Sequence, residues 1–506
     1  MRGRSAGGAS AQISRRRRRG ALALAAAALL AAAAALLAAP AALLAAPAAT
    51  GAAPPPADGS SWRARVLEDP VPPLRHEGRW LVDATGRVVL LHGVNFVQKS
   101  APFFPAARGF GADDVAFLAA HGWNAFRLGV VFEAIMPQPG QIDFAYIEHL
   151  AETVHELAAR RIFVLLDFHQ DGWGPVVHGN GMPAWATYTD GLPNPPEPFP
   201  TYYLTNPALQ RAFENFWADR AAPDGVGLQQ HYAAAARALA ERLRGEPYVL
   251  GYEAMNEPWP GADWMPCLTG CPDQESRLLV PFYRRFADAV RDADRDAFVF
   301  VEPFVLFNFG LGDSSLPPIG APGAGFSFHV YPLGAGDDLP TIDHGVAQAE
   351  RSGDALLATE WGATSDPAAI ALSAGHFDSR LVPWLFWAYE EVIRDTTLPP
   401  TPDNLRLDAV AALTRPYPVA TDGTPTRLSF DPATRILEYE YATRQPGGRR
   451  SRFLETVIVA PRATYPTGYR VTAEGAVVTS RRGAVRLDLH SLPKATSVHV
   501  VVAPAP

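Results

Sequence analysis

Residues 249–258 read VLGYEAMNEP, an uninterrupted apolar start that turns polar at its end. That shape suits a strand buried on both faces whose C-terminal end reaches a functional surface. It recurs along the chain. VVLLHGVNF (88–96), NAFRLGVVF (124–132) and RIFVLLDFHQ (161–170) precede it, and AFVFVEPFV (297–305), GFSFHVYP (325–332), ALLATEWGA (355–363) and LVPWLFWAYEE (381–391) follow. Between the third and fourth of these lie candidate helices, and one before them, at 144–160, sets Ile147, Leu150, Val154 and Leu157 at three- and four-residue spacing, one buried helix face. Similar helices read over 227–244 and 274–293. Strands alternating with helices in this number give an α/β fold, a parallel (β/α)8 TIM barrel, whose active sites gather at the C-terminal strand ends. A doubly wound open sheet is the alternative, but no G-x-G-x-x-G turn opens the first strand-helix unit.

From about residue 415 the pattern changes to period-2 strands such as ILEYEYAT (436–443), VRLDLH (485–490) and VHVVVAP (498–504), separated by Gly and Pro turns. The reading is a catalytic barrel over 62–412 followed by a C-terminal antiparallel β-sandwich domain over 415–506. No internal repeat points to a solenoid or propeller. At the other end, Arg15 to Arg19 form a basic block before an Ala/Leu run, and small residues follow Pro40. Residues 1–53 therefore read as a signal peptide for export, with an uncleaved membrane anchor as the alternative. Ser14-Arg15-Arg16 also admits a twin-arginine route, and either way the remainder is expected outside the cytoplasm, secreted or extracellular.

Hydrophobic residues make up 48% and charged residues 19%, enough apolar material for a large core and far from a disordered composition. Without the segment before Asp58 the chain loses seven arginines and no acids, so the net charge moves from −8 to −15. Such an acidic protein has no electrostatic footprint for nucleic acid. Cys267 and Cys271, in MPCLTGCP, are suited to a small loop disulfide in an oxidising compartment. Without a nearby His pair they do not fill a zinc shell.

The polar residues at the strand ends are Asn95 with Lys99, Arg127, His169 with Asp171, Asn256 with Glu257, His329 with Tyr331, Glu360 and Trp387. A barrel brings them to one mouth. Glu257 and Glu360, three strands apart, then face each other and supply the two carboxyls that glycoside hydrolysis places on either side of one bond. Two ionised carboxylates that close repel each other, so their protonation must differ. Arg127 is expected to keep Glu360 ionised as nucleophile, leaving Glu257 to carry the proton as acid/base. No cofactor or metal is called for. Asp167 and His155 have no partner or motif that places them at the mouth, and they read as structural.

Through FRLG (126–129), NEP (256–258), HVY (329–331) and EWG (360–362) the sequence resembles clan-A glycoside hydrolases of family 5. With NFVQKSAP (95–102), LLDFHQD (165–171), GLPNP (191–195), APDGVGLQQHY (222–232) and GYEAMNEPWPG (251–261) it looks like the endoglycoceramidases, over roughly 90–387 and a C-terminal β-domain. The resemblance implies the same assignment, Glu257 as acid/base and Glu360 as nucleophile. It also implies sugar contacts at Lys99, His169, Asp171, Asn256, Tyr331 and Trp387, with Asn256 toward a 2-hydroxyl and Trp387 stacking on an apolar sugar face. The sequence departs from the family pattern at Trp361, where Phe is commoner, and in PLGAGDD (332–338). Both bear on fine substrate preference.

The loops after the strands are rich in aromatics: APFFPAARGF with Phe103 and Phe104, GWGPVVHGNGMPAWATY, PWPGADWM and FVLFNFGLG. If exposed, they would make the apolar half of a split cleft, receiving acyl chains beside the sugar-reading residues. The implied substrate is a glycosphingolipid, met at a membrane or micelle surface and cut between oligosaccharide and ceramide. A β-glucosidase, endo-β-glucanase or glycosylceramidase acting on simpler β-glycosides is the alternative, and a non-catalytic glycan or lipid binder a remote one. The sequence carries no sign of oligomeric state.

Overall fold

The computed structural model describes residues 70–320, 323–333, 337–450, 452 and 454–506. The expected export segment, the first residues of the expected barrel range and part of the 332–338 loop lie outside the described residues. A short hairpin, β1 (Arg75–Glu77) and β2 (Trp80–Val82), leads into the barrel strands β3 (His92–Phe96), β4 (Ala125–Val131), β5 (Phe163–His169) and β6 (Val249–Glu253). The ring continues through β7 (Phe298–Val301), β8 (Ala324–Val330), β9 (Ala355–Trp361) and β10 (Trp384–Phe386). These eight pair in parallel, each with its sequence neighbour, and β10 closes on β3. Every run anticipated as a strand contributes one.

The first strand starts four residues later than the apolar run suggests. Val88 exchanges both backbone hydrogen bonds with Thr421, at 2.9 and 2.8 Å, so its backbone is committed to the C-terminal unit before the barrel begins. Inside the ring Leu91, Phe163, Leu165, Leu250, Phe298, Phe300, Leu357 and Leu385 form one buried layer, a floor below the mouth. The helices Phe144–Ala158 and Leu228–Leu243 follow their expected ranges closely, and Asp143 caps the first by accepting from Ala145 and Tyr146 N–H groups. The helix expected at 274–293 is regular only over Val280–Ala293, after a wide π turn at Glu275–Leu279. Pro281, lacking an N–H, removes one ladder donor where the two segments meet.

After helix Leu407–Leu413, the strands β11 (Tyr417–Ala420), β12 (Thr424–Asp431), β13 (Ile436–Ala442), β14 (Glu455–Val459), β15 (Tyr469–Glu474), β16 (Ala476–Val478), β17 (Arg486–Ser491) and β18 (Ser497–Pro504) form two antiparallel sheets. Their orders are β11-β14-β17-β16 and β12-β13-β18-β15. Burial alternates along β13 and β17, as period-2 strands with one face inward require. Leu90 and Leu381 of the barrel join this second core, and the buried Arg415–Asp378 pair, at 2.5 Å, crosses the join. Tyr417 also donates to the carbonyl of Gly122 at 2.7 Å. Among the described residues no helix is long and apolar enough to cross a membrane.

Candidate active site

The barrel delivers its polar residues to one end: Asn95 from β3, Arg127 from β4, Asp167 and His169 from β5, Glu253 from β6, His329 from β8 and Glu360 from β9. Asn256 and Glu257 lie just beyond β6, and Glu302 just beyond β7. Arg127 is fully buried at the centre. Its Nη1 bonds Glu360 Oε1 at 2.5 Å and Asn95 Oδ1 at 3.0 Å, and its Nε bonds Glu253 Oε2 at 2.5 Å. Nη2 donates to Asn256 Oδ1 at 2.8 Å and stands 3.0 Å from Asp167 Oδ1. A planar fork of donors serves all these acceptors at once, which a lysine ammonium does not.

Glu257 occupies the left-handed region, φ 45°, unusual for a residue with a side chain. The surroundings over-determine it. Gln170 Nε2 donates to the carbonyls of Asn256 and Glu257 at 2.8 and 3.0 Å, while the Glu257 N–H donates to Glu302 at 3.2 Å. The Glu257 Oε1 accepts from Asn308 at 2.9 Å and meets His329 Nδ1 at 2.9 Å. Across the mouth, Glu360 accepts from Tyr331 OH at 3.0 Å and lies 3.6 Å from the same His329 nitrogen. One oxygen of Glu257 and one of Glu360 stand within 4.8 Å. Carboxyls that close suit direct attack by one of them, whereas a mechanism with water interposed needs roughly 6.5–9.5 Å.

Burial raises the Glu360 carboxyl above its ordinary 4.5, although His329 and Arg127 pull the other way. The ion pair expected from the sequence is present, but it does not outweigh desolvation of a carboxyl sunk this deep. The nucleophile that the sequence leads one to expect in Glu360 must be ionised, so activity is expected to fall on the acid side with an apparent pKa above 4.5, the ordinary value. A kcat/KM profile with its acid limb at or below 4.5 contradicts this.

Beside the pair lies a second cluster. Lys99 Nζ bonds Asp171 at 2.6 Å, and His169 joins Asp171 at 3.2 Å to Asp167 at 2.7 Å. Trp387 lies parallel to the His169 ring at 5.5 Å with Lys99 over its face at 4.6 Å. Burial opposes charge on His169, yet Asp167 and Asp171 raise it to about 9; burial likewise opposes charge on Asp171, which Lys99 and His169 hold well below the carboxylate range. The stability that the His169 cation contributes is complete below its ordinary 6.5 and lost as pH rises through about 9. His169→Asn should therefore fall less in Tm than wild type between pH 6.5 and 9. Parallel Tm curves for the two proteins overturn it.

Every site residue singled out in the sequence, from Lys99 and Arg127 to Tyr331 and Trp387, enters this connected network. Asp167 needs correction: it is no bystander, since it bonds both His169 and Arg127. Strand alternation is the missed signal, because Asp167 sits two residues before His169 and so shares its face. Glu253, Glu302, Gln170 and Asn308 were also missed. His155 stays on an exposed helix face, 3.8 Å from Glu246.

The apolar loops mostly pack inward, contrary to the exposed aromatic lip that their sequences suggest. Trp173, Val177, Met182, Trp259, Phe304 and Phe307 are buried, and Phe103 and Phe104 are half-buried, the latter stacked on His149 at 4.2 Å. Long excursions need their own cores, and these rings supply them. The exposed apolar side chains of these connections include Val176, Leu192, Phe199 and Val226 after β5, Met265 after β6, Leu311 after β7 and Leu398 after β10.

Cys267 and Cys271 form a disulfide with Cα atoms 4.6 Å apart, closing the loop after β6. Peptide mapping without reductant should find them linked, and two free thiols in the purified protein contradict the bond. Reduction is expected to cost only about 2 kcal/mol, since so short a loop constrains the unfolded chain little.

Donor atoms of Glu257, His329 and Glu360, and of Glu253, Glu302 and His329, cluster within 4.8 Å. Neither trio suits a metal ion. Arg127 already brings positive charge to both, bound to Glu360 and Glu253 at 2.5 Å and standing 3.7 Å from Glu302.

Comparison with known proteins fits this geometry. The model of the cellulase family, glycosyl hydrolase family 5, matches residues 82–391, and that of the glycoside hydrolase family 5 C-terminal domain matches 415–502. Endoglycoceramidase I of Rhodococcus hoagii (strain 103S) is 35% identical over 439 residues, covering 82% of this chain and 85% of that protein. Endo-glycoceramidase II from Rhodococcus sp., solved as a lactosyl-enzyme intermediate, superposes with TM-score 0.71 and 31% identity over 84% of this chain and 100% of that one. Its ganglioside GM3 complex gives TM-score 0.69 and 29% identity over 84% and 99%.

Proposed function

This chain belongs to glycoside hydrolase family 5, with the endoglycoceramidases, and from that premise we propose that Glu257 and Glu360 make it a retaining enzyme that severs glycan from ceramide. It hydrolyses the β-glycosidic bond between the reducing-end sugar and ceramide and releases the oligosaccharide intact. The observation that carries the reaction class is the carboxyl pair within 4.8 Å on opposite sides of the barrel mouth. Glu360 attacks the anomeric carbon as Glu257 passes its proton to the departing ceramide oxygen, leaving a glycosyl ester on Glu360. Once Glu360 is esterified its negative charge is gone, Glu257 loses its neighbour's repulsion, and it takes a proton from the water that cleaves the ester. The sugar leaves with its β configuration, and both carboxyls return to their starting states.

Tyr331 and Arg127 aim the Glu360 oxygens, and the N–H bonds from Gln170 fix the turn that presents Glu257. Lys99, Asp171 and His169 offer hydrogen bonds to outer hydroxyls, Asn256 one to the 2-hydroxyl, and the half-buried Trp387 a face for the sugar ring. The exposed Val176, Leu192, Phe199, Met265 and Leu311 are the side on which the enzyme meets a membrane or micelle carrying its substrate. The enzyme works outside the cytoplasm on this reading, which the basic block and Ala/Leu run at the N-terminus and the disulfide support.

Incubation with lactosylceramide and ganglioside micelles tests this reading by mass spectrometry of the products. Intact glycan and free ceramide are expected together from the first time point. Stepwise loss of single sugars, or turnover of soluble β-glucans without attack on the lipids, overturns it.

A further inference from the structure

Glu302 leaves the end of β7 beneath the acid/base. One of its carboxyl oxygens accepts the Glu257 N–H at 3.2 Å. The other, Oε1, lies 3.4 Å from His329 Nε2 and 3.7 Å from Arg127 Nη2. Glu302, Glu253 and His329 each bring a donor atom within 4.8 Å of the other two, all three residues are buried, and Glu302 Oε1, Glu253 Oε1 and His329 Nε2 make no hydrogen bond. Two carboxylates so close in a dry interior do not both ionise. Glu253 is bound to Arg127 at 2.5 Å, whereas Glu302 stands 3.7 Å from it and is the less compensated of the two.

We propose that Glu302 is a positioning residue for the acid/base: it holds the Glu257 turn through the backbone N–H and sets the charge beneath His329 and Glu257 on which the grip on the acid/base proton depends. The groups facing Glu302 are Arg127 from β4, Glu253 from β6, Glu257 beyond it, His329 from β8, and Tyr283, whose hydroxyl donates to the Glu302 carbonyl at 2.7 Å; Asp167 from β5 and Glu360 from β9 stand one step further, against Arg127 and His329. Burial pushes the Glu302 carboxyl up to about 8, with Glu253 adding to it against the pull of His329. Its ionisation therefore falls where the alkaline limb of a glycosidase profile lies. Each anion added near Glu257 makes its proton harder to remove, so the limb extends upward.

The inference rests on Glu257 being the acid/base, and azide rescue of slow Glu257→Ala turnover on the same substrate checks that separately. The test is the pH profile of kcat/KM on a soluble aryl β-glycoside for wild type, Glu302→Gln and Glu302→Ala. Glu302→Gln keeps an acceptor for the Glu257 N–H but cannot ionise, and should bring the alkaline limb down by ~0.5 to 1 pH unit. Glu302→Ala lacks both properties and should lose ~10-fold or more in kcat at every pH, which Glu302→Gln partly recovers. A Glu302→Gln profile that overlays wild type, or equal losses in both variants across the whole range, overturns the proposal. If Glu302→Ala does not fold, the position of the Glu302→Gln limb decides alone.

Discussion

Glu360→Gln should lower hydrolysis of any β-glycoside by ~10⁴-fold or more while leaving the folded state in place. The carboxamide keeps the shape of the carboxyl and can turn its oxygen to Arg127 Nη1 and its NH2 to the Tyr331 hydroxyl oxygen, the two groups that donate to the Glu360 oxygens at 2.5 and 3.0 Å. What it lacks is a nucleophilic oxygen able to form the ester. Glu257→Ala differs in kind. It removes the proton donor, so substrates with good leaving groups still form the ester and then wait for water. Added azide should speed that second step and yield the β-glycosyl azide. An α-glycosyl azide from Glu257→Ala, or a β-glycosyl azide from Glu360→Ala, means that the two roles are exchanged.

Arg127→Met is expected to be the most damaging single change outside the pair. The guanidinium is fully buried with Asp167, Glu253 and Glu360 within 3.0 Å of its nitrogens. Removing one partner from a buried charge cluster typically costs about 3–5 kcal/mol, because the remaining carboxylates must be protonated or hydrated in place. The variant should unfold at markedly lower temperature, most so at alkaline pH, where the orphaned carboxyls ionise, and activity should be lost with the geometry of Glu360. Arg127→Lys should recover little, since one ammonium cannot reach acceptors on four strands. A thermal shift of only a degree or two in Arg127→Met means that the cluster is hydrated and contributes little.

The barrel was legible because each strand, buried on both faces, had to be an apolar run, and because the chemistry had to lie at one end of those runs. Glu257 and Glu360 stood out there as carboxyls at strand ends with no structural use. Glu253, Glu302 and Asp167 did not stand out, for a physical reason. They are inside the apolar runs or immediately after them, and whether such a carboxyl is charged, shared or inert depends on which strands face each other across the ring. The alternation that puts Asp167 beside His169 was available in the sequence, whereas the approach of Glu302 to Glu257 N–H depends on a left-handed turn that the letters NEP do not reveal. The loops illustrate the opposite limit. Their aromatic content was plain, but a ring that covers a lipid and a ring that braces its own loop look the same in sequence; Trp259 and Phe307 turned out buried, and Phe199 and Leu311, each 49% exposed, carry the outward face instead.

Those two residues allow the sugar and lipid sides to be separated. Phe199→Ser with Leu311→Ser should reduce kcat/KM on micellar glycosphingolipid by tens-fold, about 1.5–3 kcal/mol for each apolar side chain that reaches lipid, and change soluble aryl glycoside turnover little. Equal losses on both substrates assign these side chains to folding.

The most direct test of the pair is to trap the covalent intermediate. An activated 2-deoxy-2-fluoro-β-lactoside should inactivate the enzyme with time, and digestion followed by mass spectrometry should place the sugar on the peptide containing Glu360, as an ester. No adduct despite turnover of the parent glycoside, or an adduct on Glu257, contradicts the assignment of Glu360 as the nucleophile of a retaining enzyme.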